Sequence, residues 1–447
     1  MSSLLIDSLS PIQRCPLDVL GEIIGHLPEY CPFCLRMLSS NFFHTTNRSR
    51  LWTGYQLLVR TDRDVHALRT WFSRSGSLPL GLSIESATDD YRTWSQLYYY
   101  LDSIAHRLES VYISINFHQC HSMFYSLSCM QNLVHLSISI DHQPAYMSWQ
   151  PVFDLSSVLT IRYARLFQCV INPESQTLCV KLAWDKLILL HLEDLQLSLH
   201  GAANILAACT SLQRCYLISH TPERLLPQYS PSIVHMESFR DMKELIISGS
   251  SSVDVILVPN RFPNLEILCL DLGPHPEGPF QPPALHHYFA QNPPPLKSLY
   301  VCFSGTWLER HFRAIIPGLT TLKILALSCR SSTAVSHPRQ TLLQLSSGIW
   351  DSLPTLRELH VDTPTTRDDR YTYLHSCIVD GLPHYTSSPA GSSLTIDCST
   401  HPLDYASHTP LQKFFWQHVH KSPITSIHQS YPPMRSDYLH CWCPYKG

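Results

Sequence analysis

The chain has 447 residues and a mass of 51.1 kDa, enough for about three globular domains unless a repeat architecture absorbs the length. Hydrophobic residues make up 44% and charged residues 15%, below the ~25% usual for soluble proteins, which excludes a wholly disordered chain. Thirty-two Lys and Arg against 35 Asp and Glu give a net charge of −3, so the basic footprint of a general nucleic-acid binder is absent. No apolar run approaches the ~18 residues of a spanning helix. The start, MSSLLIDSLSPIQRCP, places Asp7 early with no basic segment before an apolar one. No secretion signal is read there, and a cytoplasmic or nuclear location is expected, without a membrane partner. Sixteen cysteines are scattered among apolar neighbours, as at Cys169, Cys179, Cys209, Cys269 and Cys329, in the manner of small buried hydrophobes.

Residues 1–59 form a first module. Pro16 sits at a first-turn position, and Leu17, Val19, Leu20, Ile23, Ile24 and Leu27 recur at helical spacing up to Pro28. Apolar clusters follow at Phe33, Leu35, Met37 and Leu38, then at Phe42 and Phe43, separated by Pro- and Ser-marked breaks. Three short helices are expected, too small a bundle to bury much surface alone. A linker helix and turn then occupy 60–79.

From about residue 80 to 364 a different rule holds: an apolar residue, two of any type, an apolar residue, one of any type, an apolar residue. It recurs as Leu108-Val111-Ile113, Leu133-Leu136-Ile138, Leu187-Leu190-Leu192, Leu212-Cys215-Leu217 and Met242-Leu245-Ile247. It continues as Leu265-Leu268-Leu270, Leu296-Leu299-Val301, Leu322-Leu325-Leu327 and Leu356-Leu359-Val361, with a weaker copy at Leu82 and Ile84. Another copy is sought near Leu155 and Val158. From 187 to 356 the first positions lie 25, 30, 23, 31, 26 and 34 residues apart. Short strands at this drifting period, with helix-like stretches between them such as Trp94–Leu108 and Ala202–Cys209, predict an α/β fold: a leucine-rich-repeat-like solenoid of parallel strands with helical returns. Similar returns are expected at Ala284–Ala290, Trp307–Ile316 and Thr341–Trp350. Residues 365–447 lose the pattern and are read as a cap and tail, with a strand near Leu394 and Ile396 and a helix over Leu411–Val419.

Strand alternation sends the residue between the second and third apolar positions, and the one after the third, to the other face of the sheet. These are Tyr112, Ser137, His191, Glu193, Tyr216, Cys269, Asp271, Tyr300, Cys302, His360 and Asp362. Tyrosines and acids along one curved sheet suit a protein partner, with Tyr112, His191, Glu193, Tyr216, Asp271, Tyr300, His360 and Asp362 as candidates. The alternative is a sheet face with no partner, solvated or covered by loops.

The run Cys15-Pro16-Leu17-Asp18-Val19-Leu20-Gly21-Glu22-Ile23-Ile24 resembles the opening of an F-box, Leu35–Phe43 its middle helices, and Arg50-Leu51-Trp52 its closing signature. Trp71–Leu82 resembles the segment that joins F-box to repeats in proteins of mushroom-forming fungi. The chain therefore resembles a fungal F-box protein with irregular leucine-rich repeats. The resemblance implies a substrate-recognition subunit of an SCF-type cullin-RING ubiquitin ligase. Its F-box would bind a Skp-family adaptor, and through it a cullin, while the repeats hold a target protein. Matched to the motif, the adaptor-binding residues would be Pro16, Leu17, Leu20, Ile23, Ile24, Leu35 and Trp52. The opening is Cys-Pro rather than Leu-Pro, Asp18 stands where Glu is usual, and Cys31-Pro32-Phe33-Cys34 interrupts the middle. These departures leave a second reading: a non-ligase repeat scaffold with a degenerate F-box.

No enzyme is expected. The chain lacks Gly-x-Ser-x-Gly, Walker, Gly-x-Gly-x-x-Gly and His-Glu-x-x-His motifs, and 15 glycines leave little from which to build a phosphate-cradling loop. His26, Cys31, Cys34 and His44 lack the second compact pair that a zinc site needs, and the tail His440-Cys441-Trp442-Cys443 offers no better set. No cofactor or metal is expected.

Overall fold

The structure is a computed structural model that describes residues 53–116, 119–141, 153–167, 171–172, 177–178, 180–193, 199–218, 238–248, 253, 256–271, 288–290, 293–303, 315–329, 353–365 and 395–402. The F-box-like residues Pro16, Leu17, Leu20, Ile23, Ile24, Leu35 and Trp52 lie outside them, as do the cysteine–histidine set at 26–44 and the helix expected over 411–419. Most of the returns expected at 284–290, 307–316 and 341–350 also lie outside. The chain divides into two units, 1–163 with 418–447, and 164–417.

In the first unit, strands β1 (Gly54–Val59), β2 (Leu80–Ser86), β3 (Leu108–Asn116) and β4 (His135–Asp141) pair in parallel and in sequence order. One face carries the rows Tyr55–Leu82–Val111–Leu136 and Leu57–Ile84–Ile113–Ile138. Helices α1 (Asp62–Phe72), α2 (Tyr91–Ile104) and α3 (Cys120–Ser128) are the returns. α1 starts where Asp64 accepts the Thr61 and Arg60 amides at 2.9 and 3.0 Å, and it buries Val65, Leu68 and Phe72. α2 is capped by Asp90, which accepts from the Arg92 and Thr93 amides, and it buries Trp94, Leu97, Leu101 and Ile104 at spacings of three and four. Tyr55 packs against Trp71 and Phe72 of α1, with ring centroids 5.1 and 6.3 Å apart, which fixes the helix side of β1.

The array thus begins earlier than the expected boundary at 80. Gly54–Val59, placed by sequence in the helical module, is a sheet strand, and Tyr55-x-Leu57-x-Val59 carries the alternation. Trp52 stands three residues before Tyr55, at the spacing of a first apolar position.

Among its described residues the second unit holds nine strands of the large sheet: β5 (Tyr163–Phe167, whose first residue closes unit one), β6 (Leu189–Glu193), β7 (Arg214–Ile218), β8 (Glu244–Ser248), β9 (Ile267–Asp271), β10 (Ser298–Phe303), β11 (Ile324–Cys329), β12 (Glu358–Thr365) and β13 (Thr395–Pro402). From β6 onward every pairing is parallel and residue for residue. The rows Leu190–Cys215–Leu245–Leu268–Leu299–Leu325–Leu359–Ile396 and Leu192–Leu217–Ile247–Leu270–Val301–Leu327–Val361–Cys398 are the second and third positions of the repeat, and the strand sought near 394 adds the last row members. Helix α4 (Leu199–Ala207) is one return, close to the stretch expected at 202–209. The copy sought near Leu155 and Val158 is Ile161-x-x-Ala164-x-Leu166: its second position is Ala, which hides it, and all three are buried.

Two devices join neighbouring units. The first is a backbone clamp, in which the carbonyl after the first apolar position accepts two amides from the next unit. Gln213 O holds the Lys243 and Glu244 amides, Lys243 O those of Glu266 and Ile267, Glu266 O those of Lys297 and Ser298, and Lys297 O those of Lys323 and Ile324. The second is a short polar side chain just before that position. Asn264 Nδ2 donates to Arg240 O at 2.7 Å, Thr321 Oγ1 to Leu296 O at 2.9 Å, and Thr355 Oγ1 to Thr320 O and Leu322 O. A buried apolar residue three places before the first position closes a turn at four of the units, Phe239 with Met242, Phe262 with Leu265, Leu319 with Leu322 and Leu353 with Leu356, while at Leu296 the turn closes from Pro294 O.

Asn264→Ala is expected to lower stability by about 1 kcal/mol, the usual net worth of such a bond, and Leu268→Ala by about 3 kcal/mol through a cavity in the row. Thermal unfolding of the two variants, read against the parent, checks the ratio. At Gly81 an added Cβ would stand 2.8 Å from Ser110 Oγ. Gly81→Ala should therefore destabilise, and Ser110→Ala in the same chain should restore most of the loss.

Candidate functional site

In a strand whose Leu-x-Leu faces the helices, the residues between and beyond the leucines face the other way. The register aligns them in two rows across unit two: His191–Tyr216–Ile246–Cys269–Tyr300–Ala326–His360–Asp397, and Glu193–Ile218–Ser248–Asp271–Cys302–Ser328–Asp362–Ser399. His191, Tyr216, Tyr300, His360, Glu193, Asp271 and Asp362 therefore fall in the two expected rows. Tyr112 is in the corresponding row of unit one, between Ser83 and Ser137.

Exposure differs from the expectation. Tyr216 is 1% exposed, and His191, Cys269 and Tyr300 are at 5% or below; Ile246 and Ala326 between them are also buried. The tyrosines of unit two are not open anchors, because this side of the sheet is closed off within the protein and behaves as a second core layer. Tyr112 remains half-buried.

At the β5–β8 end the closed face carries charge. Glu193 Oε2 lies 2.6 Å from an Arg165 guanidinium nitrogen and 3.2 Å from His191 Nε2. The His191 ring meets Tyr216 edge to face at 5.5 Å. One strand on, Arg214 Nε stands 3.7 Å from Glu244, whose side chain is nearly as shielded as that of Glu193. Burial alone would raise the Glu193 carboxyl, but His191 and Arg165 beside it bring it down to about 2. Burial pushes His191 the other way, below its ordinary value, so its ring is neutral in the fold. Burial raises Glu244 and Tyr216 as well, with Arg214 opposing it at both. The cluster has a proton acceptor and a fixed cation, yet its carboxylate is already committed to both partners. Its chemistry is that of a buried, compensated ion pair.

Arg165, Arg214 and Glu244 escaped the sequence reading. Arg165 was hidden with its repeat copy in the gap between 133 and 187. Arg214 and Glu244 occupy the position just before the second apolar residue of the repeat, which shares the non-helix face. Among the described residues no group of three or more His, Cys, Asp or Glu is placed to hold a metal, and no helix is long and apolar enough to cross a membrane.

Glu193→Gln leaves the Arg165 guanidinium without its counter-charge and should cost about 3 kcal/mol. Acid should act on the same residues. The folded pKa of Glu193 lies below that of the unfolded chain, so its stabilisation is complete above about 4.5 and is lost as pH falls toward 2. For His191, also lowered, the unfolded chain takes up a proton below about 6.5 while the folded chain resists it, so stability already declines from that pH downward. Melting temperatures from pH 7.5 to 4 should fall in the parent and fall less steeply in His191→Phe. No family model matches the chain, and no curated protein matches it.

Proposed function

We propose that this protein is the substrate-recognition subunit of an SCF-type cullin-RING ubiquitin ligase, in the manner of fungal F-box proteins with irregular leucine-rich repeats. The F-box-like segment through Trp52 would engage a Skp-family adaptor, and the repeat array would hold a target protein. The observation that carries this reading is the fusion of an F-box-like run, Pro16 to Trp52, to an array of parallel strands that starts at Gly54. Leu17, Leu20, Ile23 and Ile24 recur at helical spacing, which suits insertion of an amphipathic helix into a partner groove, with Pro16, Leu35 and Trp52 beside them. A repeat array without a catalytic constellation suits recruitment rather than chemistry. The net charge of −3 speaks against nucleic acid as the cargo.

The Cys15-Pro16 opening and the Cys31–Cys34 interruption favour a second reading, a repeat scaffold that binds its partner without ubiquitination. The two separate on one pair of measurements. Full-length chain should co-precipitate a Skp-family adaptor, and Leu17→Asp with Leu20→Asp should abolish that capture, a loss of at least tenfold. Capture unchanged by the double substitution, or absent from the parent, overturns the ligase reading. Because β1 begins at Gly54, deletions should stop at residue 51 so that the first strand stays intact.

A further inference from the structure

We propose that the target docks on the non-helix face of β1–β3 as an extended, basic segment of polypeptide. This rests on the reading that the repeats hold a protein, and it names the half of the array and the chemistry of the cargo. Three rows cross that face: Gly54–Gly81–Ser110–His135, Gln56–Ser83–Tyr112–Ser137 and Leu58–Glu85–Ser114–Ser139. They are rich in hydroxyls and glycine, where the matching rows of unit two carry Ile246, Cys269 and Ala326. Exposure follows composition. Gln56, Ser83, Tyr112 and Ser114 are half-buried and Glu85 is exposed, whereas the central row of unit two is closed. A partner can reach the array's sheet on β1–β3.

Charge says what kind of partner. The face itself presents Glu85, the first turn of α1 adds Asp62 and Asp64, and the loop after β2 adds Asp89 and Asp90. Two of these are met by arginines, Asp64 by Arg60 at 3.6 Å and Asp62 by Arg92 at 3.5 Å. Five carboxylates against the three guanidinium groups of Arg60, Arg63 and Arg92 leave −2 at this end of the strands. Hydrogen bonds from Thr93 hold the Asp90 carboxyl below its ordinary value, so it stays ionised. Nucleic acid and anionic lipid would be repelled; a segment with Arg or Lys would be attracted. Within the Tyr112 row, the Ser137 hydroxyl is buried without a hydrogen-bond partner, a polar group whose capacity the fold leaves unmet. Two inter-strand gaps of about 4.8 Å span roughly 10 Å, which about three extended residues would cross.

The test uses full-length protein and two fluorescein-labelled 12-residue probes, one of repeating Arg-Gly-Ser and one with Glu in place of each Arg, read by anisotropy at low salt. The Arg probe should bind at least tenfold tighter than the Glu probe. Glu85→Lys should weaken it about tenfold and Ser83→Arg comparably, while Asp102→Lys, an exposed residue of α2, should leave it unchanged. Equal affinity for the two probes, no binding of the Arg probe, or the same loss from Asp102→Lys overturns the proposal. Adaptor capture in the same preparation separates the outcomes. Probe failure with capture intact removes this docking face alone, whereas lost capture with intact probe binding removes the ligase reading alone.

Discussion

The backbone clamp is the constraint on which the array depends. A carbonyl that takes two amides from the following unit fixes both the distance between neighbours and their register, since the next strand can start only where those amides fall. From Ile188 through Gln213, Lys243, Glu266, Lys297 and Lys323 the acceptor of one unit is the donor residue of the unit before it, so the clamp runs unbroken from β6 to β12. Intervals that vary from 23 to 34 residues are absorbed elsewhere, in the returns. This is why the leucine rows stay straight across eight strands although the sequence spacing drifts. Each unit is marginal alone and gains its core from its neighbours, so cohesion of this kind substitutes for a globular centre.

The same rule sets where polar side chains are tolerated. The residue carrying the clamp carbonyl is exposed at Lys243, Lys297 and Lys323 and half-buried at Glu266, and Lys297 reaches back to Glu266 at 2.6 Å. Such a half-exposed pair contributes little, on the order of 0–1 kcal/mol. Asn264, Thr321 and Thr355 are different, because their side chains satisfy carbonyls at the turn between units and therefore act as part of the backbone network. A surface charge can vary freely here, while the residue beside it cannot.

Much of this was legible because side-chain period two is a strong signal: the nine complete Leu-x-x-Leu-x-Leu copies predict strands that the structure contains, and the two rows facing away from the helices follow from alternation. What was not legible has physical reasons. Ala164 is too small to stand out as a core position, although it is fully buried, so the repeat is expected a few residues early, near Leu155 and Val158, and Arg165 is missed with it. Gly54–Val59 was assigned to the helical module because it abuts it, and only its pairing with β2 reveals it as the first unit. A buried residue three places before the first apolar position is a period-three turn signal at Phe239, Phe262, Leu319 and Leu353, readable once the turn is known. Closure of the non-helix face of unit two could not be read from strands, because alternation specifies direction and not what lies opposite.

That closure reverses the meaning of the tyrosine row. An aromatic ring beside an open groove is an anchor; the same ring at 1% exposure is core, and its hydroxyl becomes a group that must be satisfied from within. The Arg165–Glu193–His191 cluster is then costly to keep, since an apolar trio of similar volume would often serve stability as well or better. What ions supply that leucines cannot is a direction. Glu193 accepts from Arg165 of the neighbouring strand, with His191 of its own strand 3.2 Å from the same oxygen, which favours one alignment of β5 against β6, at the repeat whose leucine signal is weakest. Where Ala164 leaves the apolar pattern least able to specify register, a buried ion pair specifies it instead.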